Sequence, residues 1–150
     1  MLLSEHFPNL NNWSLQFIAS DISQEMLKYA RKGKYSQLEV NRGLPVALLV
    51  KYFRQVGSKW QISEQIRQRI QFSQINLTHP WPPLPAMDII FMRNVLIYFD
   101  IETKQNILDK IRQVLKPKGY LFLGGAETTL NVHESFERIQ FDKTICYQLR

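Results

Sequence analysis

A single cysteine, Cys146, stands in the 150-residue sequence, so no intrachain disulfide and no cysteine-based metal set can form. The three histidines, His6, His79 and His133, are scattered, with no carboxylate at ligand spacing. No His or Cys constellation for nucleophilic or acid–base work is therefore visible. Glycine is sparse, with six residues, and none falls in a G-x-G phosphate-binding pattern. Apolar runs stay well short of the ~18 residues that span a membrane. The opening MLLSEHFPNLNNW lacks the basic head, long apolar core and small-residue cleavage site of a signal peptide. These absences point to a soluble, metal-free protein of a reducing cytoplasm, without membrane insertion.

Acidic residues are scarce in one region in particular. Residues 22–75 hold ten Lys/Arg against three Asp/Glu, while the remainder of the chain is nearly balanced. Such an excess is either a solvated face or a landing surface for something acidic. Tyr35, Tyr52, Phe53 and Trp60 fall within patterned elements instead of forming a stacking platform. The reading is therefore an acidic protein partner and no nucleic acid.

What is present alternates between strand and helix patterns. MLLSEHF reads as the tail of a helix closed by Pro8, and LQFIASD (15–21) as a buried strand with Asp21 at its carboxyl end. Ser23 suits the cap of a helix that stops at Gly33. The stretch RGLPVALLVKYFRQVG predicts a helix from Pro45 to Gly57, and WQIS and IRQRIQFSQINL (66–77) predict strands. Residues 35–67 break the strand–helix rhythm and read as a small inserted β-subdomain, basic on its outer side. The proline-rich THPWPPLPA is a stiff loop. MDIIFM (87–92) predicts another buried strand, followed by a helix capped by Asp100 and stopped by KPKG, then the strand YLFLGG and a hairpin turning near Asp142-Lys143. The sum is an α/β fold with a mainly parallel sheet, in which ligands sit outside the carboxyl ends of the strands.

Three polar features fall at those ends: Asp21, Asn76 with Leu77, and Arg93 with Asn94. Asp21 either caps the helix starting near Ser23 or accepts hydrogen bonds from ribose hydroxyls. Asn76 either pairs with an adenine edge or is an ordinary turn asparagine. A cation directly after MDIIFM needs a partner, which a strand-end cleft supplies more readily than a core. Tyr98 is either a packed aromatic with a bonded hydroxyl or a hydroxyl aimed into a cleft. Glu127 is either exposed in its loop or holds the site's arginine, and Cys146 reads as inert core.

The run RNVLIYFD, then LKPKGYLFLGGAE and a terminal hairpin, resembles the chemotaxis receptor methyltransferases of the CheR type. ASDIS, RKGKYS, RGLP with KYF, and INL occur in the same order and extend the likeness over residues 15–150. The resemblance implies a Rossmann-like methyltransferase sheet, S-adenosylmethionine as cofactor, and methylation of glutamate side chains on the acidic cytoplasmic helical bundle of a membrane chemoreceptor. By motif, Asp21 would bind the ribose, Asn76 and Leu77 would border the adenine, and Arg93 and Asn94 would line the cofactor site. Tyr98 would point towards the methyl-transfer centre, and the insertion would dock the receptor.

The sequence departs from that family in reading GGAE where members usually read GHSE, although Glu127 is retained. It also shows no counterpart of the family's helical N-terminal domain, first strand or glycine-rich cofactor loop. The expected architecture is thus a partial methyltransferase domain over 1–150 with the insertion at 35–67 and the first strand missing. A sheet without that central strand has two edges with unpaired backbone groups, each costing ~1–3 kcal/mol if unmet. Low stability and weak cofactor binding are expected of the chain alone. A non-catalytic remnant that keeps a receptor-binding module is the competing reading. A nicotinamide-dependent Rossmann domain would explain Asp21 but not RNVLIYF or the hairpin.

Overall fold

The computed structural model describes residues 1–150, the side chain of Asn11 excepted. The chain divides into two units, Met1–Ile75 and Asn76–Arg150. In the first, helix α1 (Leu2–His6) and a 3-10 turn (Pro8–Asn12) lead into strand β1 (Phe17–Asp21). Strand β5 (Ile70–Gln74) lies parallel to β1, with Asp21 opposite Gln74. Helix α2 (Gln24–Lys32) starts where the Ser23 hydroxyl accepts the Met26 N–H at 3.3 Å, and it ends at Gly33. Its Leu27 is buried, whereas the neighbouring Met26 is exposed.

The insertion is a three-stranded antiparallel sheet in the order β2-β4-β3, made of β2 (Lys34–Ser36), β3 (Phe53–Val56) and β4 (Lys59–Ile62). Two short helices, α3 (Gln37–Val40) and α4 (Val46–Tyr52), connect β2 to β3. Buried Gln61 fastens this sheet to the end of α2, its amide donating to the Lys32 carbonyl at 2.8 Å and the Gly33 carbonyl at 3.1 Å.

Two expectations fail in this unit. The helix foreseen up to Gly57 ends at Tyr52, and Phe53–Val56 is a strand. Gly57, at φ 62°, opens a tight turn that pairs Val56 with Lys59. A glycine free to take positive φ serves a hairpin as well as a helix stop, and aromatic and β-branched flanks favour the hairpin. The strand foreseen from Ile66 begins only at Ile70, because Glu64–Arg67 forms a helical turn, α5. Ile66 and Ile70 are four residues apart, a spacing that satisfies both a helical and a strand period.

In the second unit β6 (Met87–Met92) runs parallel to β7 (Leu115–Leu123), and the sheet continues as β6-β7-β9-β8. Strands β8 (Phe136–Phe141) and β9 (Thr144–Leu149) form the expected antiparallel hairpin, with Asp142 at φ 49° in its turn. The strand after the long helix starts earlier than foreseen. Leu115 already pairs with Met87, and the KPKG segment is a register shift before Tyr120 meets Ile89.

Helix α6 (Ile101–Val114) is capped by the Asp100 carboxylate, which accepts the Thr103 N–H at 2.8 Å. Its Ile107, Leu108 and Ile111 are fully buried against Leu115, Leu121, Leu123 and Leu149. Burying side chains of this size contributes roughly 1.5–3 kcal/mol each. Cys146 is wholly buried, as expected, and burial pushes its thiol pKa up. The β6 strand is less buried than its apolar sequence suggests: Phe91, 72 % exposed, stacks on Phe122, and Ile89 is also exposed.

Among the described residues, β1 pairs only with β5, and β6 pairs only with β7. Each therefore has one open edge. Parallel pairs, covering helices and a terminal antiparallel hairpin make the fold α/β and Rossmann-like. No helix among the described residues is long and apolar enough to cross a membrane.

Candidate functional site

Each unit carries polar residues at the carboxyl end of a parallel strand. In the first unit Asp21 is exposed, and its Oδ1 accepts the Ser23 N–H at 2.8 Å. Its Oδ2 has no hydrogen-bond partner among the described residues. One oxygen fixes the turn into α2, and the other projects from the strand end as a bare acceptor. Gln74 closes the turn from the side, its amide donating to the Ile22 carbonyl at 2.9 Å.

In the second unit the chain leaves β6 through Arg93 and Asn94, both exposed. Arg93 makes no hydrogen bond or ion pair among the described residues, so the buried partner expected for it is not found. Its guanidinium needs none, because it lies in solvent where hydration replaces pairing. Asn94 sits at φ 58°, in the left-handed region that asparagine tolerates better than most residues. A 3-10 turn, Leu96–Tyr98, follows, with Leu96 buried in the core and Tyr98 78 % exposed. The packed-aromatic reading of Tyr98 is therefore excluded, and its hydroxyl is without a partner among the described residues.

Glu127 corrects the sequence reading most. It is neither exposed nor paired with an arginine. Only 7 % of it is accessible, and its carboxylate accepts backbone N–H groups alone. Oε1 receives Val95 at 2.8 Å, Leu96 at 2.6 Å and Ile97 at 3.3 Å; Oε2 receives Asn94 at 2.7 Å and Gly124 at 2.6 Å. Burial pushes its pKa up, but the N–H groups of Gly124, Asn94, Val95 and Leu96 together outweigh that and hold it below the ordinary glutamate value. A usable signal lay in the sequence: a glutamate three residues after a strand-ending glycine can fold back onto that glycine's N–H. The Glu127 N–H donates to the Gly124 carbonyl at 3.0 Å and closes the same turn from the other side.

Gly124 is required at this point by close approach. A Cβ there would lie 2.6 Å from Glu127 Oε2 and 2.9 Å from the Asn94 nitrogen, and it would strike the Asn94 side-chain oxygen.

Asn76 is occupied locally. Its Oδ1 accepts from the Thr78 N–H at 3.1 Å and the Thr78 hydroxyl at 2.8 Å, and its Nδ2 lies 3.2 Å from His79 Nδ1. That is the ordinary turn asparagine weighed above. Leu77 is half-buried against the core, and its carbonyl accepts from Lys110 Nζ at 2.8 Å and from the Trp81 indole at 3.3 Å. These bonds fasten the proline-rich loop to α6.

The first unit also carries a cavity of about 480 Å³ lined by Tyr29, Lys32, Lys34, Lys59, Gln61 and Arg67. Lys32, Lys34 and Lys59 make no ion pair among the described residues, whereas Arg67 has Glu64 at 3.7 Å.

Parallel strand pairs with polar turns at their carboxyl ends are the setting in which α/β proteins bind nucleotides and cofactors. The particular family follows from comparison: residues 1–145 match the family described as "CheR methyltransferase, SAM binding domain", and the chain belongs to it. Chemotaxis protein methyltransferase 1 of Pseudomonas aeruginosa is 39% identical over 137 residues, which cover 91% of this chain and 50% of that protein. Chemotaxis protein methyltransferase 2 of Vibrio cholerae is 37% identical over 150 residues, covering 98% and 52% respectively. The chain spans about half the length of these curated relatives. The cofactor of the family's domain is S-adenosylmethionine.

Proposed function

We propose that this chain works as part of an enzyme that transfers a methyl group from S-adenosylmethionine to glutamate side chains on the cytoplasmic helices of a chemoreceptor. The observation that carries this reading is the family match over residues 1–145, together with relatives named as chemotaxis methyltransferases. The residues present fit the cofactor at its ribose end, because Asp21 offers a carboxylate oxygen without a partner at a strand end. In this reading Asp21 holds the ribose hydroxyls, Asn76 and Leu77 border the adenine, and Arg93 and Asn94 line the site. The Asn76 amide is already engaged by Thr78 and His79, so its contribution is to shape the loop more than to pair with a base edge.

Bound S-adenosylmethionine supplies a methyl group on a positively charged sulfur. The acceptor carboxylate is ionised at neutral pH, so the protein needs no general base. The work left to the chain's residues is binding, alignment and exclusion of water, which supplies roughly 7–11 kcal/mol in well-oriented systems. Tyr98, with its hydroxyl uncommitted, orients the acceptor. The inserted sheet, with Lys34 on β2 and Lys59 on β4 beside its cationic cavity, docks the acidic receptor surface in the cytoplasm.

In the full-length polypeptide, Tyr98→Phe is expected to retain S-adenosylmethionine binding by calorimetric titration and to lose methyl transfer to a receptor cytoplasmic fragment. Unchanged turnover removes Tyr98 from the mechanism, and no transfer by the wild type to any receptor fragment removes the reaction. One observation favours a second reading, a non-catalytic receptor-binding module. The three-stranded insertion makes its pairings within itself, and a capping box between Ser36 and Glu39 closes its first helix. Receptor binding without cofactor binding would select that alternative.

A further inference from the structure

The N–H groups of Asn94, Val95, Leu96 and Ile97 are four consecutive donors, and among the described residues none of them has a backbone acceptor. All four converge on the Glu127 carboxylate, which also takes the Gly124 N–H at the end of β7. Three of them, Val95 to Ile97, lead into the 3-10 turn Leu96–Tyr98, where helical N–H groups always lack internal partners. A carboxylate from a distant segment therefore does for this turn what a capping aspartate does for a helix, and does it from inside the protein. Its second oxygen ties the left-handed residue Asn94 to the end of the neighbouring strand. Tyr147 steadies the same segment, its hydroxyl donating to the Glu127 carbonyl at 3.4 Å.

We infer that Glu127 is the positioning residue of the methyl-transfer site: its ionised carboxylate sets the backbone of residues 94–97 and thereby the directions in which Arg93, Asn94 and Tyr98 leave it. Glu127 itself is enclosed and offers no oxygen to a ligand; it acts through the turn. The claim that Glu127 fixes the turn stands on geometry alone, while its link to methyl transfer rests on the proposed function.

The test begins with the wild-type chain. Hydrogen exchange followed residue by residue should show the amides of Asn94, Val95 and Leu96 protected to the same degree as those of β7. Exchange at the rate of an open loop overturns the proposal. In Glu127→Gln the same shape loses its charge and turns an N–H₂ towards the backbone donors. Exchange at residues 94–97 should then accelerate by roughly 10- to 100-fold. The amides of the β8–β9 hairpin should stay unchanged, and S-adenosylmethionine affinity should fall about tenfold. Acceleration spread evenly over the unit, or accelerated exchange with undiminished affinity, reduces Glu127 to a structural role and overturns the proposal. Cofactor affinity is read in the full-length polypeptide; absence of binding by its wild type is a separate result, which removes the proposed function while the exchange data decide the role of Glu127 in the turn.

Discussion

The turn after β1 and the turn after β6 both end a parallel strand, and each involves a carboxylate, yet the two carboxylates have opposite roles. Asp21 is exposed, fixes one N–H of its own turn and keeps a second oxygen open. Glu127 is buried, and both its oxygens are filled by five backbone N–H groups. One turn presents an anion outward; the other hides an anion to present Arg93, Asn94 and Tyr98. The lesson is that an acid at a strand end is read by the donors around it: few donors leave an open acceptor, and many make a scaffold.

That contrast breaks most sharply at Glu127. Replacing it by Ala should cost about 3 kcal/mol, since several N–H groups lose their acceptor at once and those of Gly124 and Leu96 lie in buried backbone. Urea denaturation of the variant and the wild type measures the difference. The sign with pH is fixed by the depressed pKa. Glu127 contributes stability that is present above the ordinary value of 4.5 and is lost as pH falls through its lower folded value. Stability measured from neutral pH down should fall less steeply in the Ala variant than in the wild type below about pH 4.5.

Gly124→Ala probes the same cradle from outside. The added methyl would sit within contact distance of Glu127 Oε2 and the Asn94 nitrogen, which are backbone-tied and cannot swing away. A cost of about 2 kcal/mol is expected, read as a lowered midpoint in thermal unfolding. An equal effect from Gly125→Ala would contradict the argument, since nothing lies near a Cβ there.

Much of the fold around this contrast was legible in the sequence, and what was not has a physical reason. The strands ending at Asp21 and Met92, the caps at Ser23 and Asp100 and the buried row Ile107, Leu108, Ile111 follow from local pattern, which a single segment determines. Glu127 was misjudged because its partners lie some 30 residues away in sequence, and the carboxylate's meeting with Asn94–Ile97 is made by the pairing of β6 with β7. Gly57 was misjudged because positive φ ends a helix and turns a hairpin alike. Asn76 stayed open between adenine and turn because only the positions of Thr78 and His79 show that its amide is engaged.

At the β1 turn the expected effects are smaller for the fold and larger for the ligand. Asp21→Asn keeps an oxygen to accept the Ser23 N–H, so stability should change by less than about 1 kcal/mol. If the open oxygen binds ribose hydroxyls, affinity for S-adenosylmethionine should fall about tenfold, or ~1.4 kcal/mol, in calorimetric titration of the full-length polypeptide. A variant that loses stability and keeps affinity would make Asp21 a cap only, and the contrast with Glu127 would collapse.

The smallest effects separate backbone from side chain at Asn94. Its positive φ costs most L residues about 1 kcal/mol and glycine almost nothing. Asn94→Ala should therefore lower stability by about 1 kcal/mol, while Asn94→Gly should stay within about 0.5 kcal/mol of the wild type. Both variants lose the amide. If Asn94 serves only as a hinge that Glu127 holds, the Gly variant binds cofactor as the wild type does. If the side chain lines the site, the Gly variant keeps its stability and loses affinity, because the exposed amide is the only group that changed.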